Sequence, residues 1–168
     1  VRAHQEKLRS AVTVVSDSAM VGEGFPSVSY ATRGLIYFEI EVEGPRTDLH
    51  SGSFGGIVVN PLMALSRILS QMVDKKGKVT IPGFYKDVAA LTAQERAWFK
   101  RVKFLEKDLA EVAGVKLLGG EKDYSVLERV WARPTFEIHG LSGGFQGEGS
   151  KTIIPQKAMA KVSMRLVP

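Results

Sequence analysis

Apolar and polar positions follow three different patterns along this chain. From Leu35 the order Leu-Ile-Tyr-Phe-Glu-Ile-Glu-Val-Glu turns into strict alternation of apolar and acidic residues in its second half. That is expected of an antiparallel strand with one solvated face. Thr135-Phe136-Glu137-Ile138-His139 alternates too, and so does Ala158 to Val167, with Ala160, Val162, Met164 and Leu166 on one side and Met159, Lys161, Ser163 and Arg165 on the other. The second pattern is helical: Val58, Leu62, Leu65, Leu69, Met72 and Val73 share a face over residues 57–73. Pro61 fits its first turn, Asn60 or the Gly55-Gly56 pair ends the loop before it, and Asp74-Lys75-Lys76-Gly77-Lys78 stops it. The third is the β-branched run Ala11-Val12-Thr13-Val14-Val15-Ser16, the pattern of a buried parallel strand.

The fold class that follows is α+β. An antiparallel sheet is expected from residues near 34–44, 134–141 and 157–167, with the 57–73 helix on one face. Residues of about 78–133 read as an insertion with its own helices. Within it Thr92-Ala93-Gln94-Glu95 is a capping box, and Trp98, Val102, Leu105, Leu109 and Val112 form an apolar stripe. That stripe and Trp131 read as core or interface packing rather than a cofactor site.

Composition narrows the function classes. A chain of 168 residues fits one domain, or one domain plus a piece of another. No apolar run approaches the roughly 18 residues that would span a bilayer, and the first residues show no signal-peptide pattern. The absence of cysteine excludes disulfides and thiolate metal sites and fits a cytoplasmic protein. The net charge of +5 is modest and its bases are interspersed with acids, as in Lys100 to Lys107, which also holds Glu106. Such bases form a solvated surface. A freestanding α+β interaction or nucleic-acid-binding module is the competing reading. An RNA-binding sheet, however, needs aromatics and bases together, and here Tyr37 and Phe38 adjoin Glu39, Glu41 and Glu43.

Candidate chemistry is concentrated at a few positions. Asp48-Leu49-His50-Ser51-Gly52-Ser53-Phe54-Gly55-Gly56 places a histidine among small residues, where its imidazole is unobstructed. Such a group either meets a ligand or is a solvated loop histidine. Asp17 follows the Ala11–Ser16 run, where α/β proteins bind ligands, although it equally suits a turn cap. Glycines between Gly140 and Thr152 do not make a phosphate loop, because Ile153-Ile154-Pro155 leads into a strand and not a helix. They permit close backbone approach to a ligand or another subunit. Thr152 and Arg165 are further polar sites of exposed character.

Several of these segments together carry a family resemblance. Ser16-Asp17, Tyr30-Ala31-Thr32-Arg33-Gly34-Leu35, Asp48-Leu49-His50-Ser51-Gly52, Gly147 through Pro155 and Met164-Arg165-Leu166-Val167-Pro168 occur in one order and spacing. In this the chain resembles the di-zinc metallopeptidases of the carnosine dipeptidase, aminoacylase and carboxypeptidase G family (metallopeptidase family twenty), from about residue 8 to the last. The resemblance implies a ferredoxin-like lid or dimerisation domain over residues 33–168, incomplete at its C-terminus, preceded in residues 1–32 by the end of a catalytic-domain segment. It implies a homodimer, made through strand 35–43 or helix 57–73, that cleaves peptides or N-acyl amino acids with two zinc ions in the full-length enzyme. His50 then corresponds to the lid histidine that polarises the scissile carbonyl in the partner's active site. Arg165 corresponds to the arginine that binds the substrate carboxylate, Thr152 to the hydroxyl that helps it, and Asp17 to a metal ligand. The other metal ligands and the general base lie outside this stretch, and His4 and His139 do not replace them. The isolated chain is accordingly expected to bind no specific metal and to be inactive.

Overall fold

A computed structural model describes residues 2–12, 14, 26–102 and 106–168. The chain divides into two compact units, Val1–Ala31 and Thr32–Pro168. In the first unit a 3₁₀ turn, Arg2–His4, leads into α1 (Gln5–Leu8). The second unit holds β1 (Gly34–Glu43), β2 (Leu49–His50), α2 (Ser51–Phe54), α3 (Pro61–Ser70), α4 (Ala93–Arg101), α5 (Glu106–Ala113), α6 (Val126–Ala132), β3 (Thr135–Gly143), β4 (Ile153–Ile154) and β5 (Lys157–Leu166).

Three strands pair antiparallel in the order β1-β5-β3, so the last strand in the chain is the central one. This is the sheet expected from the alternating segments, and it makes the unit α+β. In register, Ile36, Phe38, Ile40 and Val42 lie opposite Met164, Val162, Ala160 and Ala158. That row forms the inner face. Leu65 and Leu69 of α3 pack on Ala158, Ala160 and Val162, with Phe136 and Val79 completing the buried cluster. Ala160 is wholly buried, and its methyl leaves the room that the two leucines fill. Burying each leucine contributes about 2 kcal/mol. Because β1 is an edge strand, α3 covers only its Ile40 and Val42 end, and Ile36 and Phe38 remain exposed.

The helix is shorter than the 57–73 periodicity suggests, and local hydrogen bonds set both limits. Asn60 is the N-cap: its side-chain oxygen accepts from Leu62 N–H at 2.9 Å, with Pro61 at the first helical position. Val58 lies before the cap, its N–H donating to Phe54 O at 3.0 Å. At the other end Met72 and Val73 leave the helix yet still pack on the core, because Val73 bridges Val79 across a tight turn. The Asp74 carboxylate accepts from Lys78 N–H at 3.0 Å and Lys76 N–H at 2.8 Å, which holds it below the usual carboxylate range, the Lys78 bond foremost. Gly77 sits there at φ +83° against the Gly120 carbonyl, a place where a side chain has no room.

The expected capping box of α4 forms, with Thr92 Oγ1 accepting from Glu95 N–H and the Glu95 carboxylate from Thr92 N–H. Ser125 and Glu128 form a second one on α6. The apolar stripe is not a core in this chain: Trp98 is 46% and Val112 88% exposed. Leu105 lies outside the described residues. Trp131 makes an edge-to-face contact with Phe99, centroids 5.4 Å apart. A buried ion pair closes the insertion on itself, Arg133 Nε to Glu121 Oε1 at 2.9 Å and Nη2 to Oε2 at 3.0 Å. Tyr85, packed against the core, donates its hydroxyl to Glu121 Oε1 at 3.0 Å.

The expected parallel strand at Ala11–Ser16 is not seen where it can be followed. Ala11, Val12 and Val14 are exposed and outside any strand, and the rest of the run lies outside the described residues. A β-branched run becomes a strand only with a neighbour to receive its hydrogen bonds, and the described residues of this unit contain none.

Candidate functional site

His50 and Thr152, distant in sequence, are brought together by a second, two-stranded sheet. β2 pairs antiparallel with β4, Leu49 opposite Ile154 and His50 opposite Ile153. Ser51 N–H extends this ladder by donating to the Thr152 carbonyl at 2.8 Å. The ladder is moored to the main sheet at the start of β5, where Gly44 N–H donates to Gln156 O at 2.7 Å and Gln156 N–H to Asp48 Oδ1 at 2.9 Å. Asp48 thus has a positional task that the sequence motif does not reveal. Gly44 also lies directly against the Pro61 ring, so the turn after β1 rests on the start of α3.

The small residues after His50 fold into α2, closed by Gly55 N–H donating to Ser51 O at 2.7 Å. The imidazole lies over Gly52. A methyl group on Gly52 would stand 2.6 Å from His50 Cε1 and 3.0 Å from Nδ1, closer than carbon contacts allow. Gly52 is therefore the floor on which the exposed ring lies, a role that motif spacing alone leaves undecided. Gly52→Ala should turn the ring away with little change in the melting temperature, and, on the reading of His50 proposed below, should lower turnover at least tenfold in the full-length protein. Steady-state kinetics and a thermal melt on the same preparation check this.

Arg165 lies elsewhere. It is exposed near the end of β5, between Leu35 on β1 and Thr135 on β3. Lys157, beside the β4 junction, and Arg165 are at opposite ends of that strand, about 26 Å apart at 3.3 Å per residue. Thr152 and Arg165 are therefore separated within one chain, although the resemblance assigns both to one substrate carboxylate. Asp17 lies outside the described residues. Among the described residues no group of three or more His, Cys, Asp or Glu is placed to hold a metal ion. They do not fit a dinuclear zinc centre. Nor, among them, is any helix long and apolar enough to cross a membrane.

Comparison with known proteins gives this arrangement its family. A model of the peptidase dimerisation domain, M20_dimer, matches residues 30–168. The chain belongs to that family. It is 40% identical to the Cys-Gly metallodipeptidase DUG1 of Saccharomyces cerevisiae over 154 residues, 92% of this chain and 32% of that protein. With the human Beta-Ala-His dipeptidase it shares 35% identity over 155 residues, 92% of this chain and 31% of the relative. Among solved structures, an M20 family metallo-carboxypeptidase from Sulfolobus solfataricus superimposes with a TM-score of 0.83 at 35% identity, over 99% of this chain and 38% of that one. Human carnosine dipeptidase 1 gives 0.74 at 38% identity, over 85% and 30%. The chain thus spans about a third of the length of these metallopeptidases, and it is their dimerisation-domain portion that it matches. The ferredoxin-like α+β lid expected from the resemblance is in accord with this.

Proposed function

We propose that this chain is the lid and dimerisation domain of a cytoplasmic, zinc-dependent dipeptidase or amidohydrolase. In this reading it forms a homodimer and supplies substrate-holding groups to active sites completed by the rest of the protein. Residues 1–32 form the end of the catalytic-domain segment, with Asp17 among the ligands of two zinc ions. The substrates are dipeptides, as the names of the Cys-Gly and Beta-Ala-His dipeptidases that it resembles suggest, or N-acyl amino acids, as the wider family resemblance implies. The chain alone is inactive and binds no zinc, and neither nucleic acid nor membrane is a partner, since Glu39, Glu41 and Glu43 on the β1 edge would repel phosphate.

The observation that supports this best is the separation of His50 and Thr152 from Arg165. A dipeptide reaches only about 7 Å end to end. A single site that uses all three residues therefore draws Arg165 from one protomer and the His50–Thr152 pair from its partner. Arg165 binds the substrate's terminal carboxylate through both its N–H arms, a geometry that lysine lacks. His50 directs an imidazole N–H at the scissile carbonyl and holds the charge that grows on its oxygen, while the Thr152 hydroxyl donates beside it. Edge strand β1 and the outer side of α3 are the surfaces through which two copies would meet.

Subunit exchange tests the arrangement. As homodimers, full-length Asp17→Asn should be inactive and full-length His50→Ala should keep about a hundredth of wild-type activity or less. Mixing them should restore activity, because the mixed dimer holds one site with intact metal ligands and an intact partner histidine. Arg165→Ala mixed with Asp17→Asn should keep the raised KM of the Arg165→Ala homodimer, since the intact metal site then still lacks its own arginine. No recovery in the first mixture, with exchange confirmed by mass-tagged subunits, refutes action across the dimer.

A further inference from the structure

The outer face of the main sheet, away from α3, carries four cations on or beside β1 and β5, and they are treated in two ways. Lys157 pairs with Glu41 at 3.0 Å, and Lys161 with Glu39 at 3.4 Å. At the other end of the face Arg33 and Arg165 form no ion pair among the described residues. Their proximity follows from register. Leu35 lies opposite Arg165, and extending the β1 alternation one residue before Gly34 puts Arg33 on the same face as the diagonal neighbour of Arg165, whose charge acts on it. Such positions are about 7–8 Å apart, within reach of two guanidinium side chains.

Among the described residues, the groups around them do not neutralise this charge. Leu35 and Thr135 flank Arg165 on the adjoining strands, and Ser163 precedes it on its own face. Ser163 is occupied with His139, whose Nε2 lies 2.6 Å from its hydroxyl. The acid nearest in register, Glu137, stands opposite Ser163 and makes no ion pair with either arginine. Arg33 is half-buried, and burial together with the charge of Arg165 lowers its pKa from the ordinary arginine value. Two guanidiniums side by side without an acid have an unfavourable mutual energy that a bound anion relieves. Ten fork-like N–H donors at one place are suited to a carboxylate, which accepts at both its oxygens.

We propose that Arg33 is a second substrate-binding residue that forms, with Arg165, a paired-guanidinium site for the free C-terminal carboxylate of the peptide. The inference rests on the reading of Arg165 given above and extends it to substrate class. Two arginines at the carboxylate make a free C-terminus a requirement, so the enzyme acts on unblocked peptides and rejects their C-terminal amides. Repulsion between the arginines also keeps the Arg165 guanidinium from folding back onto the sheet before substrate arrives.

The test is steady-state kinetics of the full-length enzyme with glycyl-type dipeptides and the matching C-terminal amides. Arg33→Gln should raise KM for the free dipeptide about tenfold with kcat within about twofold of wild type, and leave the already poor kcat/KM for the amide unchanged. Arg33→Lys should recover part of the loss, since it keeps the charge but not the fork, and it also serves if Arg33→Gln fails to fold. An Arg33→Gln enzyme that loses equally on dipeptide and amide would overturn the proposal, since the effect would then be structural. So would unchanged KM in both Arg33 variants while Arg165→Gln raises it, which leaves Arg165 as the sole anchor. If Arg165→Gln itself leaves KM unchanged, the reading of Arg165 fails and this proposal with it.

Discussion

His50→Ala in the full-length enzyme should lower kcat by about 10²–10³-fold and change KM by no more than a few-fold. The size is that of one lost donor at an oxyanion. The split follows from timing, because a group that meets charge only as the tetrahedral intermediate forms does not help to bind the ground state. Stability should not change, since the imidazole is exposed and lies over a glycine. His50→Gln, which keeps an N–H donor, should recover part of kcat. Equal losses in kcat and in unfolding temperature would instead mark His50 as a structural residue of the β2–β4 ladder. The measurement is a full Michaelis curve beside a thermal melt for each variant.

The parts of this fold that were readable in the sequence are those fixed by local periods. Alternation at Leu35–Glu43, Thr135–His139 and Ala158–Val167 gives strands with the correct inward faces, and register follows from burying Ala160 and Val162. Thr92 and Glu95 identify a helix start because both partners of the box lie within four residues. Amphipathic spacing shows which side of a helix is apolar, not whether anything covers it, which is why Val112 belongs to a stripe and yet stands in solvent.

The sequence offered the candidate residues but not their layout. His50 and Thr152 meet through a ladder of two residues per strand, too short for any period to register. Thr152 and Arg165 look close because few residues separate them, but an extended strand turns nearness in sequence into distance. Arg33 shows no motif of its own. It becomes a candidate only when the β1 alternation is extended to it beside Arg165, where, among the described residues, the cross-strand lysines are paired and the arginines are not.

Glu121→Ala should be the most destabilising single change in the insertion, costing about 3–5 kcal/mol in the 168-residue chain. The carboxylate is buried, it receives both arms of the Arg133 guanidinium, and it accepts the Tyr85 hydroxyl. Arg133 in turn lies over the rings of Tyr124 and Tyr85, at 4.5 and 5.2 Å from their centroids. Removing Glu121 leaves that cation buried with aromatic faces but no counter-charge, and the loss is mostly the cost of the stranded charge rather than the worth of the pair. The double variant Glu121→Leu, Arg133→Met should therefore regain most of the stability, since two apolar side chains of similar volume strand no charge and leave only the Tyr85 hydroxyl without its acceptor. Burial above all, with the nearby Glu121 charge, raises the Tyr85 pKa to about 12. An unfolded tyrosine titrates near pH 10, so the folded state holds this proton more tightly. That contribution is complete below pH 10 and is lost as pH rises through about 12, so wild-type stability should fall across this interval. Tyr85→Phe should fall less steeply there. Urea unfolding midpoints at neutral pH for the three genotypes, and between pH 10 and 12 for wild type and Tyr85→Phe, measure both effects. A Glu121→Ala loss under 1 kcal/mol, or a double variant no better than the single, would show that the insertion is held by its apolar contacts alone.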